Sequence, residues 1–534
     1  VYTPTGTARE RDIEAFYLKY FESIPYFRNR REQMGFFPIP NDPFGRTIPW
    51  CAVRGSGNKT VVLLHHNDVV DTDDYGTLRD VATSPDDLAR AFASGGMKLD
   101  EDAARDLESG DWIFGRGVGD MKSGASIQMA LVEKYANTAE NADFKGNIVL
   151  IGLPDEENLS AGGRGAPLVL KKLKEMFEFE YLYAINSEPT DRTLGPDKPK
   201  LYTSSIGKAL PLIYARGALS HSGRVYEGLN PINIMAHIVR RLDINPDFID
   251  SSGIVTSAPA AFLYMKDGKN IYDASLPISA TGVMNVMFLK KSVSDIIDII
   301  RKNCESAFDE TIADAQGSYD EYNRIMGVSR GKLPWRTSVK LYSEIHAEAE
   351  RDSGDEFRNA MTRLSAELKA RTASGEMNQI EASRTVVETT LLHRNDRSPV
   401  VVIALAPPYY PVVDNSMLGR RAEWADTILD DVIAFAGEKF SDHHIKHCLV
   451  GMSDLSYMLH NPRVNDVDYI KENMLLWGDI YSIPFEELAE ISMPIVNIGP
   501  WSKGIHTFAE RAWTEDIFNR TPRLLEFAIN RIIS

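Results

Sequence analysis

Three short apolar runs punctuate the first part of the chain: "TVVLL" at 60–64, "NIVLIGL" at 147–153 and "YLYAI" at 181–185. Each is near-continuous rather than alternating, the pattern of a strand buried on both faces of a sheet. Residues 123–135 and 166–177 lie between them and carry apolar positions at helical spacing. So do residues 10–24, where Ile13, Phe16, Tyr17, Tyr20 and Phe21 form one stripe. Strand alternating with helix predicts an α/β fold, an open, mostly parallel sheet flanked by helices. "RGSGNKT" at 54–60 misses the spacing of a phosphate loop and reads as a turn between strands.

After Leu212 the pattern changes. "PLIYARGALSHSG" reads as a strand, and "GLNPINIMAHIVRRL" as a helix with Ile234, Ile238 and Leu242 on one side. "AAFLYM" and "VMNVMFL" read as strands, and "SVSDIIDIIRKNCESAF" as a helix opened by a Ser cap. This is a small α+β layer. Residues 341–396 are charged and helical in pattern, and "SPVVVIALAPPYYPVV" (398–413) returns a strand ending in a Pro-rich turn. Residues 417–440 are helical, "MPIVNIG" (493–499) is a strand, and "TPRLLEFAINRII" closes the chain as a helix with Pro522 in its first turn. The economical arrangement is a split α/β domain, 1–211 and 414–534, with 212–413 inserted as an α+β lid that carries a helical extension around 341–396.

A chain of 534 residues is longer than one core normally serves, which agrees with that division. A net charge of −17 argues against a nucleic-acid partner and fits carboxylates gathered around cations. Cys51, Cys304 and Cys448 are odd in number and far apart, so no disulfide framework and a reducing, cytoplasmic location are expected. The opening "VYTPTGTARERDIEAFY" lacks the pattern of a signal peptide, and no apolar segment approaches ~18 residues, so no membrane partner is expected.

In open α/β sheets, ligands gather at the carboxyl ends of the strands. "TVVLL" ends at His65, His66 and Asp68; "NIVLIGL" at Asp155, Glu156 and Glu157; "YLYAI" at Glu188. "MPIVNIG" is followed by "PWSKGIH" and His506, and the loop "WIFGRGVGDMKSG" presents Asp120 at a helix entrance. Five separate elements thus bring imidazole or carboxylate to one rim. Imidazole with carboxylate and no thiolate suits zinc, with cobalt or manganese as substitutes. The candidates outnumber the three protein ligands usual for one catalytic zinc, so a pair of ions ~3.5–4 Å apart is expected. Of the adjacent Glu156 and Glu157, one can bind metal while the other handles a proton. His66 and Asp68 share one side of an extended segment, so Asp68 can hold the far nitrogen of His66. Singly, each residue has an ordinary structural explanation; their joint placement is what carries the reading. His65 reads as a core or supporting residue. His443, His444 and His447 in "SDHHIKH" read as a polar helix face.

These motifs resemble those of the two-zinc aminoacylases and carboxypeptidases, the family of acetylornithine deacetylase, succinyl-diaminopimelate desuccinylase and aminoacylase-1. "LLHHNDVV", "GRGVGDMKSG", "GLPDEENLSAGGRG", "NSEP", "GALSHSGRVYEGLNPI", "GMSDLS" and "GPWSKGIHTFAE" follow in the family's order. The resemblance implies His66 and Glu188 on one Zn2+, Glu157 and His506 on a second, and Asp120 between them. It implies Glu156 as general base, Asp68 as the group orienting His66, and His221 as an oxyanion stabiliser that reaches across a homodimer made through the lid. The implied activity is amide hydrolysis of an N-acyl amino acid or short peptide. The length and "APPYYP" are similar to a longer branch associated with arginine utilisation. The chain departs from the pattern in an acidic insertion at 72–109, in "GPW" for "GPG", and in the block 341–396. A two-metal phosphoesterase is the rival enzyme, and would need bases such as Lys122 or Arg164 aimed at phosphate. A non-catalytic metal-dependent binding protein would lack a ligand or the base.

Overall fold

The strand Ser56–His66 is exposed over its first four residues and buried from Thr60 to its end. Val61 and Leu63 face one layer of helices and Val62 and Leu64 face the other, all without solvent exposure. In the computed structural model, which describes residues 2–141, 144–192, 198–252, 255–462, 466–478 and 480–534, this strand is near the middle of a nine-stranded sheet. Lys145–Leu153, Ser56–His66, Glu180–Asn186 and Ile495–Asn497 run parallel in that order. Thr47–Arg54 pairs antiparallel on one side, with Met34–Pro38 antiparallel to it at the edge, and Lys200–Ser205 pairs antiparallel on the other. The apolar stripes of the helices Asp12–Ser23, Ser123–Asn141, Arg420–Phe440 and Thr521–Ile533 share one core with Val61 and Leu63. Ala161–Phe177 packs on the other face.

Two compact units divide the chain: residues 1–205, 413–461 and 483–534 in the first, and 206–412 with 462–482 in the second. Residues 462–482, expected within 414–534, therefore belong with the inserted unit. Leu475 and Leu476 join its apolar core, and Leu475 donates its N–H to Leu405 O at 2.8 Å.

The second unit is built on a five-stranded sheet, ordered Ala261–Asp267, Ser279–Phe288, Gly207–Arg216, Val400–Tyr410, Val339–Leu341. The helices Pro231–Leu242 and Val293–Ile325 pack against it. The second of these opens on a reciprocal cap, in which Ser292 Oγ accepts from Asp295 N–H at 3.1 Å and Asp295 Oδ2 accepts from Ser292 N–H at 2.8 Å. The charged block folds as Tyr342–Ala373, kinked at Gly354, and Gln379–Leu392. Leu368 and Val387 in this block share a core with Leu212 and Val402 of the sheet.

Two local readings need correction. "SDHHIKH" is not a helix face. The preceding helix ends at Ser441, which adopts φ 56°, and Ile445–Leu449 then pairs parallel to Lys200–Ser205 as a strand. The helix expected over 166–177 begins earlier, with the glycine-rich "AGGRG" as the first turn of Ala161–Phe177. Gly163 is needed there because a Cβ would sit 2.4 Å from Asp454 Oδ1. Among the described residues, no helix is long and apolar enough to cross a membrane.

Candidate metal centre

All four parallel strands point their carboxyl ends at one rim, and the acidic and imidazole groups of the first unit collect there. His66 closes its strand with the ring buried. Its Nε2 lies 2.8 Å from Asp120 Oδ1 and 3.6 Å from Glu188 Oε2. On the other side, His506 Nε2 lies 3.0 Å from Glu157 Oε1 and 3.4 Å from Asp120 Oδ2. Asp120 thus gives one oxygen to each imidazole. Ligand atoms of His66, Asp120 and Glu157 fall within 4.8 Å of one another.

The scaffold beneath these groups is equally specific. Asp68 does not hold His66 Nδ1 mainly through its carboxylate, as the spacing suggested. The nearer acceptor is its backbone oxygen at 3.1 Å, and the carboxylate stands at 3.6 Å. The carboxylate instead accepts the N–H groups of Glu156 and Glu157, both at 3.1 Å. Those two backbone bonds fix the turn on which Glu156 and Glu157 sit. Ahead of them, Asp155 adopts φ 70° and pairs with buried Arg46 at 2.8 Å. Glu510, which sequence reasoning gave no role, accepts from the backbone N–H of Gly119 at 3.0 Å and of Asp120 at 3.1 Å, and pairs with Arg116 at 2.8 Å. It therefore orients the Asp120 loop. Gly499 allows the close approach of the last loop to the Glu188 strand end, where a Cβ would lie 1.8 Å from Glu188 O.

Asp454, from "GMSDLS", is a second residue that the strand-end rule did not identify. It is fully buried, and Ser160 Oγ donates to its Oδ1 at 3.1 Å. The preceding strand, Ile445–Leu449, runs opposite to the His66 strand, so no strand-end argument could point to it. His65 lies under the rim, with Tyr17 OH at 2.6 Å and Gln128 Oε1 at 2.9 Å, and burial lowers its pKa to about 4. His221 belongs to the second unit. It is exposed, and its Nδ1 accepts from Gly223 N–H at 3.0 Å. Lys122 donates to Thr3 Oγ1 at 3.0 Å and Asn67 O at 2.8 Å, and Arg164 to Leu159 O at 3.1 Å. Both are turned to protein oxygens, which disfavours the phosphoesterase reading.

The electrostatics explain why the cluster suits cations. Burial raises the Glu188 carboxyl to about 8 and Asp454 to about 7. Burial raises Glu156 well above the carboxylate range, with Glu188, Glu157 and Asp454 adding to the effect, and it raises Glu157 as well. Burial opposes protonation of His66, yet Glu188, Asp120 and Asp68 outweigh it and lift its pKa well above the usual value. Hydrogen bonds to Asp120 and Glu157 raise His506 to about 10. Asp120 goes the other way. Burial would raise it, but the two imidazoles hold it well below its ordinary range. Crowded carboxylates that take up protons, balanced by two imidazolium partners, form a donor set that divalent cations would satisfy without protons.

A group whose pKa is raised on folding stabilises the fold fully below its ordinary value, and that stability is lost as pH climbs through the raised value. For Glu188 the window runs from 4.5 to about 8, and for His506 from 6.5 to about 10. Metal-free protein is therefore expected to melt at progressively lower temperature from about pH 5 to about pH 10. Divalent cations, which replace the protons, should flatten that fall. Calorimetry across this range, with chelator and with added zinc, checks it; identical profiles in the two conditions would contradict the assignment.

Residues 98–481 match the sequence model of Peptidase family M20/M25/M40. Two Bacillus subtilis (strain 168) proteins resemble nearly the whole chain. The uncharacterized protein YqjN is 28% identical, the match covering 99% of this chain and 94% of YqjN. Protein RocB is 26% identical over 98% of this chain and 91% of RocB. Among solved structures, aminopeptidase PepT from Bacillus cereus ATCC 10987 shares the fold with a TM-score of 0.51 and 13% identity, covering 100% of this chain and 95% of PepT. The family match and the donor groups gathered at one rim lead to the same conclusion: the chain belongs to peptidase family M20/M25/M40 and is a metal-dependent amide hydrolase.

Proposed function

We propose that the protein hydrolyses the amide bond of an N-acyl amino acid or a short peptide, using a pair of zinc ions. The observation that carries this reading is the placement of Asp120 between His66 and His506, one oxygen toward each. In this reading His66 and Glu188 hold one ion, Glu157 and His506 hold the other, and Asp120 spans both. When bound, the pair supplies Lewis acidity, polarising the scissile carbonyl and making a water acidic near neutral pH. The preference for zinc rests on imidazole and carboxylate donors without thiolate; cobalt and manganese suit the same set.

Glu156 takes the proton released as water adds to the carbonyl carbon. It returns that proton to the nitrogen as the C–N bond breaks, leaving a carboxylic acid and an amine. Its burial, which raises the carboxyl's pKa, is offset by cationic charge alongside, bringing it toward the range where one group both accepts and donates. His221 Nδ1 accepts from Gly223 N–H, so the neutral ring carries its hydrogen on Nε2, a donor for the oxyanion of the addition step. We assign that donor to the site of a second copy in a homodimer. The edge strand Ala261–Asp267 of the second unit exposes Leu263 (64%) and Met265 (48%), and the turn beyond it exposes Tyr272 (95%). An apolar sheet edge of this kind calls for a covering partner.

Three outcomes are expected. Glu156→Ala should keep two zinc ions per chain by elemental analysis while kcat falls about 10²–10⁴-fold; normal turnover would remove Glu156 from the mechanism. The assay panel comprises N-acyl amino acids, including those of basic amino acids, and dipeptides. His506→Ala should bind a single ion per chain, and retention of both would exclude His506 as a ligand. Leu263→Lys combined with Met265→Lys should sediment as a monomer with reduced kcat; an unaltered dimer would place the interface elsewhere.

A further inference from the structure

The acidic insertion at 72–109 is not used by the chemistry above, yet it packs against the segment that carries His506. His506 lies at the tip of a hairpin whose arms, Ser502–Lys503 and Arg511–Trp513, pair antiparallel. The second arm pairs in turn with Trp112–Phe114, which follows the insertion and leads into the Asp120 loop. The insertion folds as the short helices Asp73–Val81, Pro85–Ala93 and Glu101–Ser109. Its apolar side forms a separate small core of Tyr75, Leu88 and Phe92, into which Phe114 and Ala509 insert and against which Phe508 packs. Phe508 and Ala509, two and three positions beyond the proposed ligand, are therefore anchored in the insertion.

The polar side adds a second tie. Asp102 and Asp106 on Glu101–Ser109 face two cations of the hairpin. Lys503 Nζ reaches them at 3.0 and 2.9 Å, and Arg511 reaches each at 2.6 Å. Exposed ion pairs are worth little, but Arg511 is 4% exposed and Asp106 13%, and two carboxylates against two cations make a network. A third tie is aromatic. Lys503 lies over the rings of Trp112 at 4.7 Å and Trp501 at 5.1 Å, whose centroids are 4.8 Å apart. Trp501 is the residue that makes this loop "GPW".

We propose that the acidic helix of the insertion is a positioning device for the second cation: Asp102 and Asp106, through Lys503 and Arg511, fix the hairpin and with it His506, so that this network bears on the affinity of the His506 side more than on that of the His66 side. This rests on the paired-metal reading above. The test is titration of metal-free, full-length protein with cobalt(II), followed by visible absorption and by direct measurement of both dissociation constants. Wild-type protein should take up two ions per chain. Lys503→Met should bind the first as wild type does and the second about 10-fold or more weakly, and Lys503→Arg should restore it. If Lys503→Met fails to fold, the Asp102→Asn/Asp106→Asn double variant, which keeps the shape of both side chains and removes their charge, carries the same test. Two ions in wild type with an unchanged second constant in the variants would overturn this inference alone, as would equal weakening of both constants. Saturation of the wild type at one ion would overturn the paired-metal reading and this inference together.

Discussion

The constraint on which the first unit depends is the burial of carboxylates at one end of a parallel sheet. Asp68, Asp120, Glu156, Glu157, Glu188 and Asp454 are gathered there around His66 and His506, with buried Lys122 near Asp68. Such a group is costly unless protons or cations neutralise it. The supporting structure holds it together despite that cost. Asp68 spans the backbone of Glu156 and Glu157, and Glu510 holds the backbone of Gly119 and Asp120. Arg46 ties Asp155 to Glu10 and Asp42, and Gly499 lets one loop rest on the backbone of Glu188. The Asp68, Glu510 and Gly499 contacts fix main chain, not merely side chain, so the acidic groups at the rim are held in place by the fold.

The same constraint joins fold to chemistry. Parallel strands send their carboxyl ends the same way, and helices on both faces exclude water from the sheet. The rim is then the place where buried apolar strands meet polar loops, and it is where low dielectric makes charge–charge interactions strong. In the proposed mechanism, a metal pair at that rim would let one carboxylate, Glu156, serve both proton transfers. The insertion at 72–109 extends this logic outward, because its core and its acidic helix both grip the hairpin that bears His506.

Much of this was legible before the structure. Near-continuous apolar runs marked the three parallel strands, and the polar residues ending them marked the rim, because backbone direction alone carries those residues to one place. Local pattern failed where tertiary contact decides the outcome. Ile445–Leu449, Ile-Lys-His-Cys-Leu, lacks strand alternation and is mostly half-buried, and His447 with His443 and His444 before it imitates helical spacing. Asp454 reaches the rim from a strand running the other way, and Glu510 acts through backbone groups nearly 400 positions away. Residues 462–482 join the inserted unit through Leu475 and Leu476, a long-range packing choice that no local periodicity encodes. Asp68 illustrates a subtler limit: spacing placed it beside His66, but gave no sign that its carboxylate also accepts from the next loop's amides.

The central claim is that this rim is built for two cations sharing Asp120. Anomalous diffraction at the zinc absorption edge, from crystals grown with zinc, tests it most directly. The account predicts two peaks ~3.5–4 Å apart on either side of the Asp120 carboxylate, one beside His66 and Glu188 and the other beside Glu157 and His506. A single peak, or peaks bound away from Asp120, would contradict it.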